Sequence, residues 1–333
     1  MIRGLNGQTR GGLVLVLSIA GVALMAPCIA GLIPIVTVSG ESIEAPALRS
    51  VARPAPWDAP AARPAADRPG WTLSPPIGHD PLSIDLDSIL QPPGREHWLG
   101  TDELGRDVLA RLVHATRPSF LVALIATAIS LILGIPVGAV AGYAGPRWDL
   151  PLSRLIDASL SFPALILLLL LTALATAGRS AADPLAAGEA LSSIVVVGIA
   201  VGIVRWGVVA RYMRGEVLRL AGSDLSLAAR GLGASPARLL RVHLVPLGLG
   251  PVIVSAAFGA GTAVVAEASL SFLGLGIQPP APTWGQMLAS SWSSGGAYWW
   301  MLAFPGIAIA VTVAAFNLLG EGLRRANRGS GLS

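Results

Sequence analysis

The sequence contains no lysine; all 23 of its basic residues are arginines. A phosphate-cradling P-loop needs a lysine directly after its second glycine. The chain therefore carries no standard P-loop, and ATP hydrolysis that serves it must come from another subunit. Charge is scarce too, at 13% of residues, where soluble domains carry about 25%. Cys28 is the single cysteine, which excludes an internal disulfide framework. Pro27 directly before it does not suit a lipoprotein acylation site. The four histidines are scattered, and neither a GxSxG nor an HExxH pattern occurs. No nucleophile–base pair is visible, so neither enzymatic activity nor a cofactor is expected. The formal net charge of +4 reads as a topology signal and not as an affinity for nucleic acid.

What the chain has in abundance is apolar length. Hydrophobic residues make up 53% of it, and the mean hydropathy is +0.67. A membrane-spanning helix needs about 20 mostly apolar residues. Segments near 13–36, 119–143, 155–177, 191–210, 248–275 and 299–320 meet that requirement. The expected fold is all-α: a polytopic membrane protein with six transmembrane helices. The first segment follows Arg3 and Arg10 and could be a signal peptide. Its length and the lack of a clean small-residue cleavage site favour a retained helix.

Arginine bias sets the orientation. The short loop 144–154 carries Arg147 and Arg154, the tail carries Arg324, Arg325 and Arg328, and the segment 211–247 carries Arg211, Arg214, Arg219, Arg230, Arg238 and Arg241. These regions are predicted to face the cytoplasm, with both termini. The uncharged segment 277–298 suits the outside. The segment 37–118 also falls outside, because long loops translocate largely regardless of charge. Its stretch 45–76 is rich in Pro and Ala and reads as a spacer. The expected division is 1–36 (N-terminus and first span), 37–118 (outer loop), 119–325 (five-helix core) and 326–333 (cytoplasmic tail).

The stretch AARGLGASPARLLRVHLVP, residues 228–246, interrupts the apolar runs with arginines. It reads as two short helices joined at glycine. Ser223 suits the N-cap of the first, just ahead of Asp224, and Gly233 suits the left-handed residue that ends it. Ser235 and Pro236 suit the N-cap and first position of the second, and Pro246 is expected to stop it. On spacing alone the pair is either a docking surface for a soluble partner or an ordinary basic loop held inside by its charge.

Ala228, Ala229, Gly233 and Pro246 match the spacing of the EAA loop of ABC importer permeases, and His243 with Pro246 resembles the His-x-x-Pro ending of the peptide-importer branch. Leu227 replaces the usual glutamate, and Leu247 stands where that branch often has asparagine. HWLGTDELGRDVLARL at 97–112, EASLSFLGLGIQPPAPTWGQML at 267–288 and FPGIAIAVTVAAFNLLGEGLR at 304–324 extend the likeness. From about residue 97 to 325 the chain resembles the C-type permease of dipeptide, oligopeptide and nickel ABC importers, which are binding-protein-dependent inner membrane components. The resemblance implies that 211–247 holds a cytoplasmic coupling helix. Its ATPase-docking candidates are Asp224, Ala228, Ala229, Gly233, Ser235, Pro236 and Pro246. It also implies a homologous second permease, two ABC ATPase subunits, an extracytoplasmic binding protein and a peptide cargo within the lipid bilayer. A nickel chelate or other small solute is the alternative cargo. An ATP-independent transporter would want inverted repeats, and none is evident.

Isolated polar residues stand out in the apolar runs. An intramembrane carboxylate is costly, so Glu267 is expected either to line the substrate pathway or to brace a neighbouring helix. Asp157 and Asn317 read as helix-packing or interface groups, and Arg205 as a side chain reaching the inner interface. Gly259, Ala260, Gly261 and Ala263 permit close helix approach. Between 97 and 111 lie His97, Asp102, Glu103, Arg106 and Asp107, with His79, Asp80 and His114 nearby. Their spacing matches no compact ligand motif, and no metal site is expected. Thr101 is predicted to cap an amphipathic helix over 102–114 on the outer membrane surface.

Overall fold

The computed structural model describes residues 7–30, 35–39, 42–47, 71–176 and 189–329. The greater part of the Pro/Ala-rich stretch, residues 48–70, lies outside the described residues. The helices are α1 (Gly7–Ile29), α2 (Val108–Tyr143), α3 (Pro146–Ser161), α4 (Ala164–Thr176), α5 (Glu189–Ala221), α6 (Asp224–Gly231), α7 (Pro236–Phe272), α8 (Trp284–Ser293) and α9 (Trp299–Gly329). Among the described residues, five of them are long and apolar enough to cross a membrane: α1, α2, α5, α7 and α9. The sixth expected span, 155–177, is not one straight helix. α3 and α4 meet at an angle of 88°. Pro163 explains the break, because it disfavours helical geometry at Phe162, whose backbone is extended.

The first span ends earlier than expected, at Ile29. Beyond it, β-branched Val36, Thr37 and Val38 favour an extended chain. They form β1 (Val36–Ser39), which pairs antiparallel with both β2 (Ser42–Glu44) and β3 (Trp71–Leu73). This small sheet is an addition to an otherwise helical molecule.

The most extensive helix contact joins α2 to α5, and glycine makes it possible. Gly134, Gly138 and Gly142 recur every fourth residue, on one face of α2. A β-carbon at Gly138 would lie 2.3 Å from the Ala210 carbonyl oxygen, and one at Gly134 would lie 2.6 Å from Val209. The relation is reciprocal: Gly198 and Gly202 of α5 receive Ile125 and Ile129, which a β-carbon would meet at 2.8 and 2.6 Å. Lipid tails offer no hydrophobic drive for helix association, so dispersion across such close backbones must supply it. α7 and α9 complete the core around α2 and α5, burying Val122, Val201, Val264 and Leu270. α1 closes on α9, where a β-carbon at Gly12 would meet Leu319.

The segment before α2 is a knot of loops and not the predicted surface helix. The helix starts at Val108, with Asp107 as its N-cap. The Asp102 carboxylate accepts the backbone N–H groups of Leu104 and Arg106 and the Arg106 side chain. These bonds hold 102–106 in a turn that competes with a helical start. Gly105, with φ of +70°, packs where any β-carbon would strike Asp85. Thr101 is no helix cap; its hydroxyl takes the Gln91 N–H at 2.8 Å, and its carbonyl accepts Trp300 Nε1–H at the start of α9.

Valine at Gly138 should force α2 and α5 apart and cost about 1–3 kcal/mol. The expected outcome is a lower melting temperature and yield of Gly138→Val in detergent. Gly215→Ala, on α5 with open space around it, should melt at or above the parent temperature.

Candidate functional site

α6 is a helix of eight residues between α5 and α7. Ser223 holds the N-cap position, with φ and ψ of −80° and 157°. Its hydroxyl, however, donates back to the Leu220 carbonyl at 2.6 Å. The C-terminus is a Schellman closure: Gly233 N–H bonds the Arg230 carbonyl, Ala234 N–H bonds the Ala229 carbonyl, and Gly233 has φ of +82°. Nothing lies within 4 Å of a β-carbon built on Gly233. Glycine is needed there for its backbone angle alone.

The Ser235 side chain accepts the Arg238 N–H at 3.4 Å, with Pro236 in the first turn. The second helix does not stop at Pro246, contrary to the expectation. It passes through a π-helical segment, Leu239–Leu244, and runs on to Phe272. A proline breaks an α-helix because it lacks an N–H and crowds the carbonyl four residues back. In the π segment carbonyls pair five residues ahead, as Leu240 does with the Val245 N–H. Pro246 therefore follows a turn where that four-residue partner is not required.

One face of this unit is anchored and the other is free. Leu239 and Leu244 are fully buried with Val209, Met213, Val217 and Val252, and Ala229 packs on that cluster. The Arg230 guanidinium lies 5.6 Å from the centre of the Tyr143 ring at the end of α2. Asp224, Ala228, Gly233, Ser235, Pro236 and Pro246 are exposed. So are Leu225 and Leu227, and Leu232 is 90% exposed. Sequence reasoning missed Leu232, although its place between Gly231 and Gly233 could have marked it as a protruding apolar tip.

Glu267 is fully buried between α2 and α7. Ser119 donates to its Oε2 at 2.8 Å and Ser271 to its Oε1 at 2.7 Å. With no solvent-accessible surface, the carboxylate does not line an open pathway in this arrangement. It occupies the bracing position instead, where two hydroxyls offset its desolvation. Arg205, expected at the inner interface, is the midpoint of α5. Its guanidinium lies against Gly259, where a β-carbon would be 3.0 Å away. Asp157 pairs with Arg211, and Asp149 takes a bidentate bond from Arg214 at 2.6 and 2.8 Å. Both pairs tie α3 to α5. Asn317 is exposed on α9.

At the other end of α2, Asp107 Oδ1 caps Ala110 N–H at 2.7 Å, while Oδ2 lies 2.9 Å from His97 Nδ1 and 3.9 Å from His79 Nδ1. These residues are neighbours in the sequence reading, but their spacing matches no compact ligand motif and does not show that they converge.

Residues 134–328 match the family described as the binding-protein-dependent transport system inner membrane component. The chain is 38% identical to the dipeptide transport system permease protein DppC of Alkalihalophilus pseudofirmus, over 71% of this chain and 73% of that one. It is 37% identical to the probable D,D-dipeptide transport system permease protein DdpC of Escherichia coli, over 74% and 78%. A solved inward-facing MetNI methionine ABC transporter superposes with a TM-score of 0.49 at 19% identity, over 66% of this chain and 97% of that one.

Replacing Glu267 should separate shape from hydrogen bonding. Glu267→Gln retains a partner for each serine and should keep the melting temperature nearly unchanged. Glu267→Leu takes the carboxylate acceptor from two buried hydroxyl donors, at about 1–3 kcal/mol each, and should melt earlier. Thermal denaturation of the two variants side by side checks this.

Proposed function

The chain belongs to the binding-protein-dependent transport system inner membrane component family, and we propose on that premise that it forms one permease half of an ATP-driven peptide importer. The observation that carries the reading is the α6 unit, with its buried anchor and its exposed leucine tip. Apolar side chains flanked by arginines, outside the spans, suit a groove on a soluble partner. The relatives' dipeptide cargo supports a peptide substrate here.

The proposed assembly contains a homologous permease, two ATPase subunits beneath the pair and an extracytoplasmic binding protein. ATP binding draws the ATPases together, and the docked α6 units shift the balance between inward- and outward-facing arrangements. The permease contributes the bistable element and the ATPases the chemistry. α6 and both termini face the cytosol, and the chain between α1 and α2 faces out. The proposed division into first span, outer loop, core and tail keeps coupling loop 211–247 in the core but takes shifted bounds, because α1 ends at Ile29 and α2 starts at Val108. The docking contacts are Asp224, Ala228, Ala229, Gly233, Ser235, Pro236 and Pro246, with Leu232 added at their centre. Glu267 meets the substrate only if α2 and α7 part at the Ser119 bond, since Ser271 lies on the same helix as Glu267; otherwise it is a brace.

Two measurements test this. Leu232→Asp and Gly233→Asp should each abolish ATP-dependent peptide uptake into vesicles and loosen ATPase association, with membrane insertion retained. Normal uptake and association in both would overturn the docking role. For orientation, Ile84→Cys and Ala237→Cys are made separately in a Cys28→Ser background. A membrane-impermeant thiol reagent should label only the first in intact cells; the reverse pattern would invert the topology.

A further inference from the structure

His79, His97 and Asp107 converge on a cleft of about 340 Å³ that opens beside the N-terminus of α2. One ligand-capable atom from each lies within 4.8 Å of the other two. We propose that these three residues form a binding site for a zinc-type divalent cation, one that fastens the loop around His79 to the first turn of α2. The site is independent of the cargo that the permease carries.

The geometry fits that chemistry in three respects. First, the spacing is close to correct. Ligands 2.0–2.2 Å from a tetrahedral zinc lie about 3.4 Å from each other. The His97 Nδ1–Asp107 Oδ2 separation of 2.9 Å and the His79 Nδ1–Asp107 Oδ2 separation of 3.9 Å fall on either side of that value. The imidazole rings sit 4.6 Å apart and tilted by 44°. His79 is partly exposed, so a small rotation brings it in.

Second, the carboxylate is pre-oriented. Asp107 Oδ1 is held by the Ala110 N–H at 2.7 Å, which turns Oδ2 toward both imidazoles. A ligand fixed by a hydrogen bond to its other atom is the usual support of a metal centre. His97 needs only to carry its proton on Nε2, which frees the Nδ1 lone pair without any change of charge.

Third, the surroundings favour a cation. Asp85 and Glu96 line the same cleft. The Ser88 hydroxyl and then the Asp87 N–H hold the Asp85 carboxyl below its usual range, so it stays ionised. Hydrogen bonding alone accounts for His97 and Asp107 but not for His79, whose Nδ1 is beyond hydrogen-bond reach of Oδ2. The fourth position opens into the cleft and suits water. Two imidazoles, a carboxylate and water match the borderline character of zinc.

The test uses the assembled transporter in lipid nanodiscs, stripped with chelator, incubated with Zn2+ and gel-filtered, with zinc then counted per complex by mass spectrometry. His79→Ala and the similarly sized His79→Asn remove one ligand and leave the Asp107 cap and its His97 bond in place. His243→Ala removes a histidine far from the cluster. The expected result is one zinc fewer per copy of this chain in both His79 variants, and no change in His243→Ala. Zinc should also raise the melting temperature of the parent complex but not of the His79 variants. Co2+ bound to the parent should show tetrahedral d–d absorption that the His79 variants lack. Equal zinc in parent and His79 variants would mean that the ion binds elsewhere, and would overturn the proposal. So would a parent complex without Co2+ absorption.

Discussion

The α2–α5 contact depends on hydrogen atoms where other residues carry side chains. Gly138 lets α2 approach the Ala210 carbonyl so closely that even alanine would collide. The contact is continued by Gly134 and Gly142 in one direction of fit and by Gly198 and Gly202 in the other. Within a bilayer, helices gain nothing by hiding apolar surface from lipid. Backbone proximity is what distinguishes the native pairing from any other. The position of α5 fixes where its C-terminal end emerges, and α6 begins directly after that end.

The end of the bundle beside α6 is built by the same economy. Arg214 and Arg211 clamp α3 to α5. Leu239 and Leu244 press the start of α7 into Val209, Met213 and Val217 of α5. The π segment at Leu239–Leu244 lets Pro246 sit inside a continuous helix. With no joint at Pro246, the α6 unit leads into a helix that runs without a break to Phe272. The Schellman closure at Gly233 keeps α6 short and holds Leu232 at its tip.

Much of this was legible in the sequence, and the misses share a cause. Apolar length marked the long spans, because a bilayer imposes that length on any chain that crosses it. Gly233, Ser235 and Pro236 were readable as turn and cap because their backbone demands are local. What failed involved competition between local signals and distant partners. Pro246 read as a stop, but the π segment before it relieved its clash. Residues 102–114 read as one helix, but the Asp102 carboxylate captured the N–H groups of Leu104 and Arg106. Pro163 was a visible breaker within a run apolar enough to hide it. The glycines of α2 follow a plain four-residue spacing that is visible in the sequence. Glu267 stood out in its apolar run, yet Ser119 lies 148 residues away, and no periodicity could join them.

On the proposed orientation and docking role, these parts combine into a lever. α2 has 36 residues, and at about 1.5 Å per residue it is about 54 Å long, well beyond the hydrocarbon thickness of about 30 Å. Its inner end meets α6 through Tyr143 and Arg230. Its outer end is fixed by the Asp107 cap, and the loop beside that cap bonds Trp300 of α9 through the Thr101 carbonyl. About a third of the way along from Val108, Ser119 of α2 and Glu267 of α7 join the two helices by a bond that water cannot reach. A displacement of α6 can then move the outer loops without deforming the core, because close-packed interiors shift as bodies between discrete arrangements and do not stretch. Coupling across the membrane thus requires no polar relay through the bilayer. It requires a helix that spans more than the bilayer, glycine contacts that keep its partner in step, and a firmly held connection at each end.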